Sequence, residues 1–210
     1  MNLGFLHVGH DDRLARLMVR SARLLGYSLL HMTDERTAAI PGCDVVRLPW
    51  DGKRLMTYRL EHLARLNEPM MVCDTDVIHL EPCDDVWARP FDLALTRRGK
   101  TVDPSGFDIS LVMPYNIGVM FVRHPQVWRF AYEHCAGLPL AEQDWYGDQL
   151  AMAAAAREFD CLDLPDAEFN CTPASADECP PARVLHYKGV RKEWMLHIWP
   201  GLLADPDNVQ

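Results

Sequence analysis

Two carboxylates one residue apart close the short apolar run Met70-Met71-Val72-Cys73-Asp74-Thr75-Asp76-Val77-Ile78. The apolar part has the length of a buried strand. An unpaired buried carboxylate is expensive, so a cation is one reason for two of them at such a place. Side chains at i and i+2 of an extended segment lie on the same side, which lets Asp74 and Asp76 grip one hard divalent ion through oxygen. The plainer alternative is a strand that ends in a polar loop and binds nothing. A second group is His186-Tyr187-Lys188-Gly189-Val190-Arg191-Lys192-Glu193-Trp194. Imidazole is an acceptable third ligand for the same ion and tilts preference toward manganese. Glycine at +3 lets backbone approach a ligand closely, and lysine at +6 supplies a point charge for phosphate. Together the two groups suit a metal–diphosphate complex.

These residues need elements to hold them. Residues 3–8 read as a first strand, closed by Gly9. Asp11 or Asp12 then caps a helix with Leu14, Leu17, Met18, Leu24 and Leu25 at a 3.6-residue period, stopped by Gly26. Strands at 27–32 and 45–48 follow, then a helix over 55–66 that runs into the strand at 70–73. Further strands are expected at 91–96 and 115–122, the latter with the polar, glycine-bearing start Tyr115-Asn116-Ile117-Gly118; residues 99–114 read as a loop. A helix spans 125–135, and Asp144 looks like the cap of another that runs to 158. Strands at 161–164 and 183–186 complete the set, with 165–182 irregular. Strand–helix–strand alternation of this kind predicts an α/β fold, a mostly parallel sheet covered by helices. Ligands bind such sheets at the carboxyl ends of the strands, so the D-x-D and the loop His7 to Asp12 should be neighbours.

Composition bounds the partners. The 210 residues, 49% of them hydrophobic, have room for one core; one domain over 1–200 and a tail over 201–210 are expected. A net charge of −9 argues against nucleic acid as the main partner. No stretch is long and apolar enough to span a membrane, and the first residues lack a signal peptide's basic region. Seven cysteines, an odd number with no C-x-x-C, read as reduced thiols in a cytoplasmic protein. The spacing of Cys161, Cys171 and Cys179 does not suit the common zinc patterns.

Four of these elements resemble, in type and order, the retaining glycosyltransferases of family 8, the glycogenin and bacterial galactosyltransferase type with the GT-A fold. They are the D-x-D at 74–76, Asn116-x-Gly118 opening a strand, Asp148-Gln149 at a helix start, and the H-x-x-G-x-x-K-x-W at 186–194. The family's proline before the tryptophan is Glu193 here; Leu164-Pro165 and Asn170 match a further family segment. The resemblance implies a hexosyltransferase in which Asp74, Asp76 and His186 hold Mn2+, or Mg2+, on the diphosphate of a UDP-sugar, with Thr75 beside them. Gly189 and Lys192 would contact that diphosphate. Asn116, Asp148 and Gln149 would line the sugar and acceptor site, with Lys192 acting on the leaving group. Arg59 would reach the donor sugar or phosphate, and His7, Gly9 and Asp11 the nucleotide. The acceptor is a glycan, a small molecule or a protein, and the oligomeric state is open. Two rivals remain at this level: a nucleotide-sugar-binding protein without transfer, and a phosphatase of the haloacid-dehalogenase type. The phosphatase motif has Thr or Val where this chain has Ile78 and sits nearer the N-terminus. No G-x-x-x-x-G-K or G-x-G-x-x-G occurs.

Overall fold

The computed structural model describes residues 1–102 and 105–202. In chain order the elements are β1 (Asn2–Leu6), α1 (Arg13–Leu24), β2 (Ser28–Thr33), β3 (Asp44–Arg47), α2 (Leu55–Ala64), β4 (Met70–Cys73), β5 (Val77–His79), β6 (Leu93–Arg97), β7 (Tyr115–Val122), α3 (Pro125–Ala136), α4 (Leu140–Trp145), α5 (Gly147–Glu158), β8 (Cys161–Leu164), α6 (Asp166–Phe169), β9 (Val184–His186) and α7 (Lys192–Ile198). Seven strands form one sheet in the order β3-β2-β1-β4-β7-β6-β8. Of its pairs, β7 is antiparallel to both β4 and β6, and the remaining pairs are parallel. The mostly parallel α/β architecture expected from the alternation is therefore present, with one strand reversed.

Both faces of the sheet are covered, which is why its central strands are apolar throughout. Met71 and Cys73 of β4 point with Leu3, Phe5, Val119 and Phe121 toward α1. Met70 and Val72 point the other way, with Ile117, Met120 and Val122, onto α2, α3 and α5. A second, two-stranded sheet pairs β5 with β9. It forms a smaller cluster of Leu17, Ile78, Leu185, Tyr187 and Met195, which ties the last helix to α1.

Several boundaries differ from the pattern. Asp144 does not cap the helix to 158; it lies inside α4, and the helix restarts at Gly147. A Cβ at Gly147 would lie 2.7 Å from the Glu142 carbonyl oxygen and 2.8 Å from Cys135 Sγ, so the chain jogs where only glycine fits. Asp12 holds the position before α1, but its carboxylate pairs with Arg16 at 2.7 Å and caps no backbone N–H. Residues 166–169, expected to be irregular, form the short α6. The expected tail falls mainly on 203–210, outside the described residues.

Candidate active site

The reversed strand builds the site. β1 and β4 run in parallel, with Phe5 opposite Cys73, so the loops that follow them leave the same edge of the sheet. This is the neighbourhood expected for the D-x-D and the His7–Asp12 loop. Because β7 is antiparallel and pairs Val119 with Cys73, the start of β7 projects past the end of β4. Asn116 and Gly118 therefore share an edge with Asp74, whose backbone N–H donates to the Gly118 carbonyl at 2.9 Å. The small sheet supplies the third part. Val77 of β5 lies opposite His186 of β9, and the Tyr187 N–H donates to the Asp76 carbonyl at 2.8 Å. A histidine 110 residues away in the chain is thereby set against the D-x-D.

Ligating atoms of Asp74, Asp76 and His186 all lie within 4.8 Å of one another. His186 Nε2 is 3.1 Å from Asp76 Oδ1 and 3.7 Å from Asp74 Oδ2. Metal bonds of about 2.1–2.4 Å span such separations. The tautomer of His186 follows from its other neighbour. Asn170 is fully buried, and its Nδ2 donates to the Asn116 carbonyl at 2.9 Å and to Thr96 Oγ1 at 2.8 Å. A carbonyl only accepts, so the Asn170 amide has one orientation, and its Oδ1 faces His186 Nδ1 at 2.7 Å. With an ion bound, Nδ1 would carry the proton it donates to Asn170, which leaves Nε2, facing the two carboxylates, as the ligating atom. Two carboxylates and one imidazole nitrogen converging in this way fit a divalent cation of the manganese or magnesium kind.

Gly118 makes room for that ring. A Cβ there would lie 2.1 Å from His186 Cε1 and 2.3 Å from Nδ1. The glycine of the N-x-G element is a steric requirement of the histidine 68 positions later. Gly189 has a different reason. It adopts φ +61°, and nothing lies within 4 Å of the place its Cβ would take. A left-handed residue turns the chain out of β9 toward α7. Lys192 begins that helix and sets its Nζ 3.1 Å from Asp76 Oδ2. Glu193 is the second residue of α7, in its first turn.

Charge is balanced by a buried arginine. Arg59, only 6% exposed, sits inside α2 and bridges two carboxylates, with Nη2 2.9 Å from Asp74 Oδ1 and Nη1 3.1 Å from Asp148 Oδ2. Burial raises the Asp148 carboxyl to about 6 despite that arginine, with Asp74 adding to the rise. Burial alone would lift Asp76 too, but His186 and then Lys192 outweigh it and hold the carboxyl at about 2. Gln149, beside Asp148, accepts from the Arg98 guanidinium, which also donates to the backbone carbonyl of Tyr115. Asp148 and Gln149 thus reach the D-x-D edge through Arg59 and Arg98.

No family model matches the chain, and no curated protein is similar to it in sequence. Solved structures do match. The galactosyltransferase LgtC, in complex with donor and acceptor sugar analogs, is similar at TM-score 0.64 and 12% identity, over 99% of this chain and 98% of that one. The glycosyltransferase GlyE of Streptococcus pneumoniae TIGR4 gives TM-score 0.64 and 15% identity over 97% of this chain, which spans 60% of GlyE. A glycosyltransferase involved in glycosylation of the major capsid of PBCV-1 gives 0.64 and 14%, over 94% and 99%. The fold is GT-A. At these identities the likeness is one of fold, and activity has to be argued from the site.

The loop after β1 is less closed than the Asp74–Asp76–His186 cluster. His7 follows β1 half-buried, with its ring near that of His31 and its carbonyl accepting from Thr33 Oγ1 at 2.7 Å. The Gly9 N–H donates to Thr37 Oγ1 at 2.8 Å, which links the loops after β1 and β2. Asp11 is exposed, and its carboxyl is held near 2 by hydrogen bonds from Arg13. Thr75 is half-buried between the two aspartates. The described cysteines form no disulfide, and none of them joins a metal-holding group. No helix among the described residues is long and apolar enough to cross a membrane. Pattern alone did not single out Arg98, which donates to Gln149, or Asp166, which faces Asn116; neither stands in a motif that spacing makes visible.

Proposed function

We propose that the protein is a metal-dependent glycosyltransferase that moves a hexose from a UDP-sugar to a hydroxyl-bearing acceptor, with retention as in the family-8 enzymes it resembles, within one domain over residues 1–200. The observation that carries this reading is His186. The β5–β9 pair and Gly118 seat its ring between Asp74 and Asp76, and Asn170 presents its Nε2 to them. A loop that binds nothing has no use for that arrangement. The GT-A fold favours transfer over the phosphatase alternative. A non-catalytic binder is disfavoured because all three ligating side chains and Lys192 are in place.

In this reading Asp74, Asp76 and His186 hold Mn2+, or Mg2+, against the donor diphosphate. The ion supplies Lewis-acid stabilisation of the departing diphosphate. Lys192, from the first turn of α7, adds a positive charge to the same group. Gly189 leaves the adjacent backbone uncovered. Arg59, which pairs with Asp74 at 2.9 Å, would add positive charge beside the donor sugar or phosphate. Asn116, Asp148 and Gln149 line the place of the transferred sugar, where a carboxylate or amide oxygen steadies a cation-like anomeric carbon. His7, Gly9 and Asp11 hold the nucleoside end.

Calorimetry with UDP tests this. Affinity should rise with Mn2+ and fall with chelator, and Asp76→Ala should lose that difference. Equal affinity of the unmutated protein with metal and with chelator would overturn the reading.

A further inference from the structure

Arg98 follows β6 and ties it to two other elements. Its backbone N–H donates to the Pro114 carbonyl at 2.7 Å, at the entry to β7. Its guanidinium donates from Nε to the Met113 carbonyl at 3.1 Å and from Nη2 to the Tyr115 carbonyl at 3.3 Å. The same Nη2 lies 2.5 Å from Oε1 of Gln149, the third residue of α5. A guanidinium has donors and no acceptor. The atom that meets it is therefore the amide oxygen, which settles the orientation of the Gln149 side chain. Its Nε2 is the end turned away from Arg98, and no acceptor among the described residues meets it. Both oxygens of neighbouring Asp148 already accept, Oδ2 from Arg59 Nη1 at 3.1 Å and Oδ1 from the Gln149 backbone N–H at 2.8 Å. Of these two side chains, the group left without a partner is a donor.

That polarity limits what Gln149 can do. An amide oxygen held by a guanidinium is a poor partner for a cation-like anomeric carbon, because the arginine charge repels the same carbon. A free N–H suits an oxygen instead. Such an oxygen is a hydroxyl or ring oxygen of the sugar, or an oxygen of the diphosphate on which negative charge builds as it departs. We propose that Arg98 is a positioning residue, which holds the Gln149 amide so that it offers N–H, and not oxygen, to the donor. The inference rests on the glycosyltransferase reading and deepens it. It removes Gln149 from the groups whose oxygen could steady the anomeric carbon.

The test follows hydrolysis of UDP-glucose and UDP-galactose by the full chain with Mn2+, water serving as acceptor, in variants that keep the thermal transition. Gln149→Met removes both ends of the amide. Gln149→Glu keeps an oxygen for Arg98, now in a charge-assisted bond, and loses the donor. Both should lower kcat/KM by about 10–1000-fold. Calorimetry of Gln149→Met with UDP and Mn2+ separates the two sources of the oxygen. An affinity that holds assigns it to the sugar, and one that falls assigns it to the diphosphate. If Gln149→Glu stays within twofold of the unmutated rate while Gln149→Met is impaired, oxygen is the working end and the proposal fails. It fails too if neither variant loses rate. A double-mutant cycle tests Arg98. Arg98→Met should lower kcat/KM by about 10-fold alone and by less than twofold on top of Gln149→Met, since the arginine acts through the amide. Arg98→Lys, which returns one donor toward Oε1, should recover part of the loss, and it carries the same cycle if Arg98→Met does not fold. Equal losses in the two backgrounds would make Arg98 a brace between β6 and β7 alone and overturn its assignment. An unmutated protein that neither binds UDP with Mn2+ nor hydrolyses a UDP-hexose would instead overturn the function on which the inference rests.

Discussion

Gly118→Ala adds one methyl group and should disable a metal site to which glycine contributes no ligand. Gly118 has no positive φ, so alanine is conformationally permitted there. The difficulty is steric. The new Cβ would stand 2.1 Å from His186 Cε1, whereas carbon atoms in contact keep about 3.5 Å. The ring would have to withdraw by about 1.4 Å. That displacement would break the 2.7 Å contact from Nδ1 to Asn170 Oδ1 and move Nε2 away from Asp76. Metal–ligand distances tolerate about 0.2 Å, so the withdrawn ring no longer ligates. Overpacking of this kind costs about 1–3 kcal/mol, which a chemical denaturation curve resolves. Calorimetry should show the Mn2+ enhancement of UDP binding reduced to the level of His186→Ala. The double variant Gly118→Ala/His186→Gly, with the ring gone, should recover the stability lost, a coupling of about 1–3 kcal/mol. If Gly118→Ala keeps both its stability and its Mn2+ response, His186 does not occupy the place described, and the metal site argued from it fails.

Three further outcomes follow from the same contacts. Asn170→Ala removes the acceptor that holds His186 Nδ1–H and should weaken Mn2+ binding by about 10–100-fold; imidazole nitrogen shifts should show mixed tautomers, and a single unchanged tautomer would mean Asn170 does not set it. Lys192→Ala should lower kcat more than it raises the donor KM, because the charge it offsets is larger in the transition state than in the bound donor; a rise in KM alone would restrict the lysine to holding nucleotide. Arg59→Ala leaves Asp148 buried without its cation and should destabilise by about 3–5 kcal/mol, while Arg59→Met/Asp148→Leu, which removes both charges, should recover most of it. A melting temperature for Arg59→Ala equal to that of the unmutated protein would show that the buried pair does not form.

The Asp74–Asp76–His186 cluster was legible because each part carries a local signal. An apolar run that stops on D-x-D needs no knowledge of the fold, and neither does a histidine followed by glycine and lysine at fixed offsets. Strand and helix order was legible for the same reason, since burial on both faces of the sheet leaves apolar runs such as 70–73 and 117–122. What brings the parts together was not visible. Periodicity says that 115–122 is a strand but not that it runs backwards, and the reversal is what places Asn116 and Gly118 at the end of β4. The short pairing of β5 with β9, on which the position of His186 depends, involves three residues on each side, too few to leave a pattern.

Polar residues are harder to read than apolar ones because a carboxylate's meaning lies in its partner. Asp148 illustrates this. By sequence it is a favourable charge at a helix start, and it does stand second in α5. In the fold it is 2% exposed, and its partner is an arginine 89 positions earlier. That same arginine reaches Asp74, so the helix-start aspartate and the D-x-D share one cation. No spacing rule connects positions 59, 74 and 148. The connection exists because α2 and α5 cover the same face of the sheet and meet beyond the end of β4, where the two aspartates of the motif leave the core.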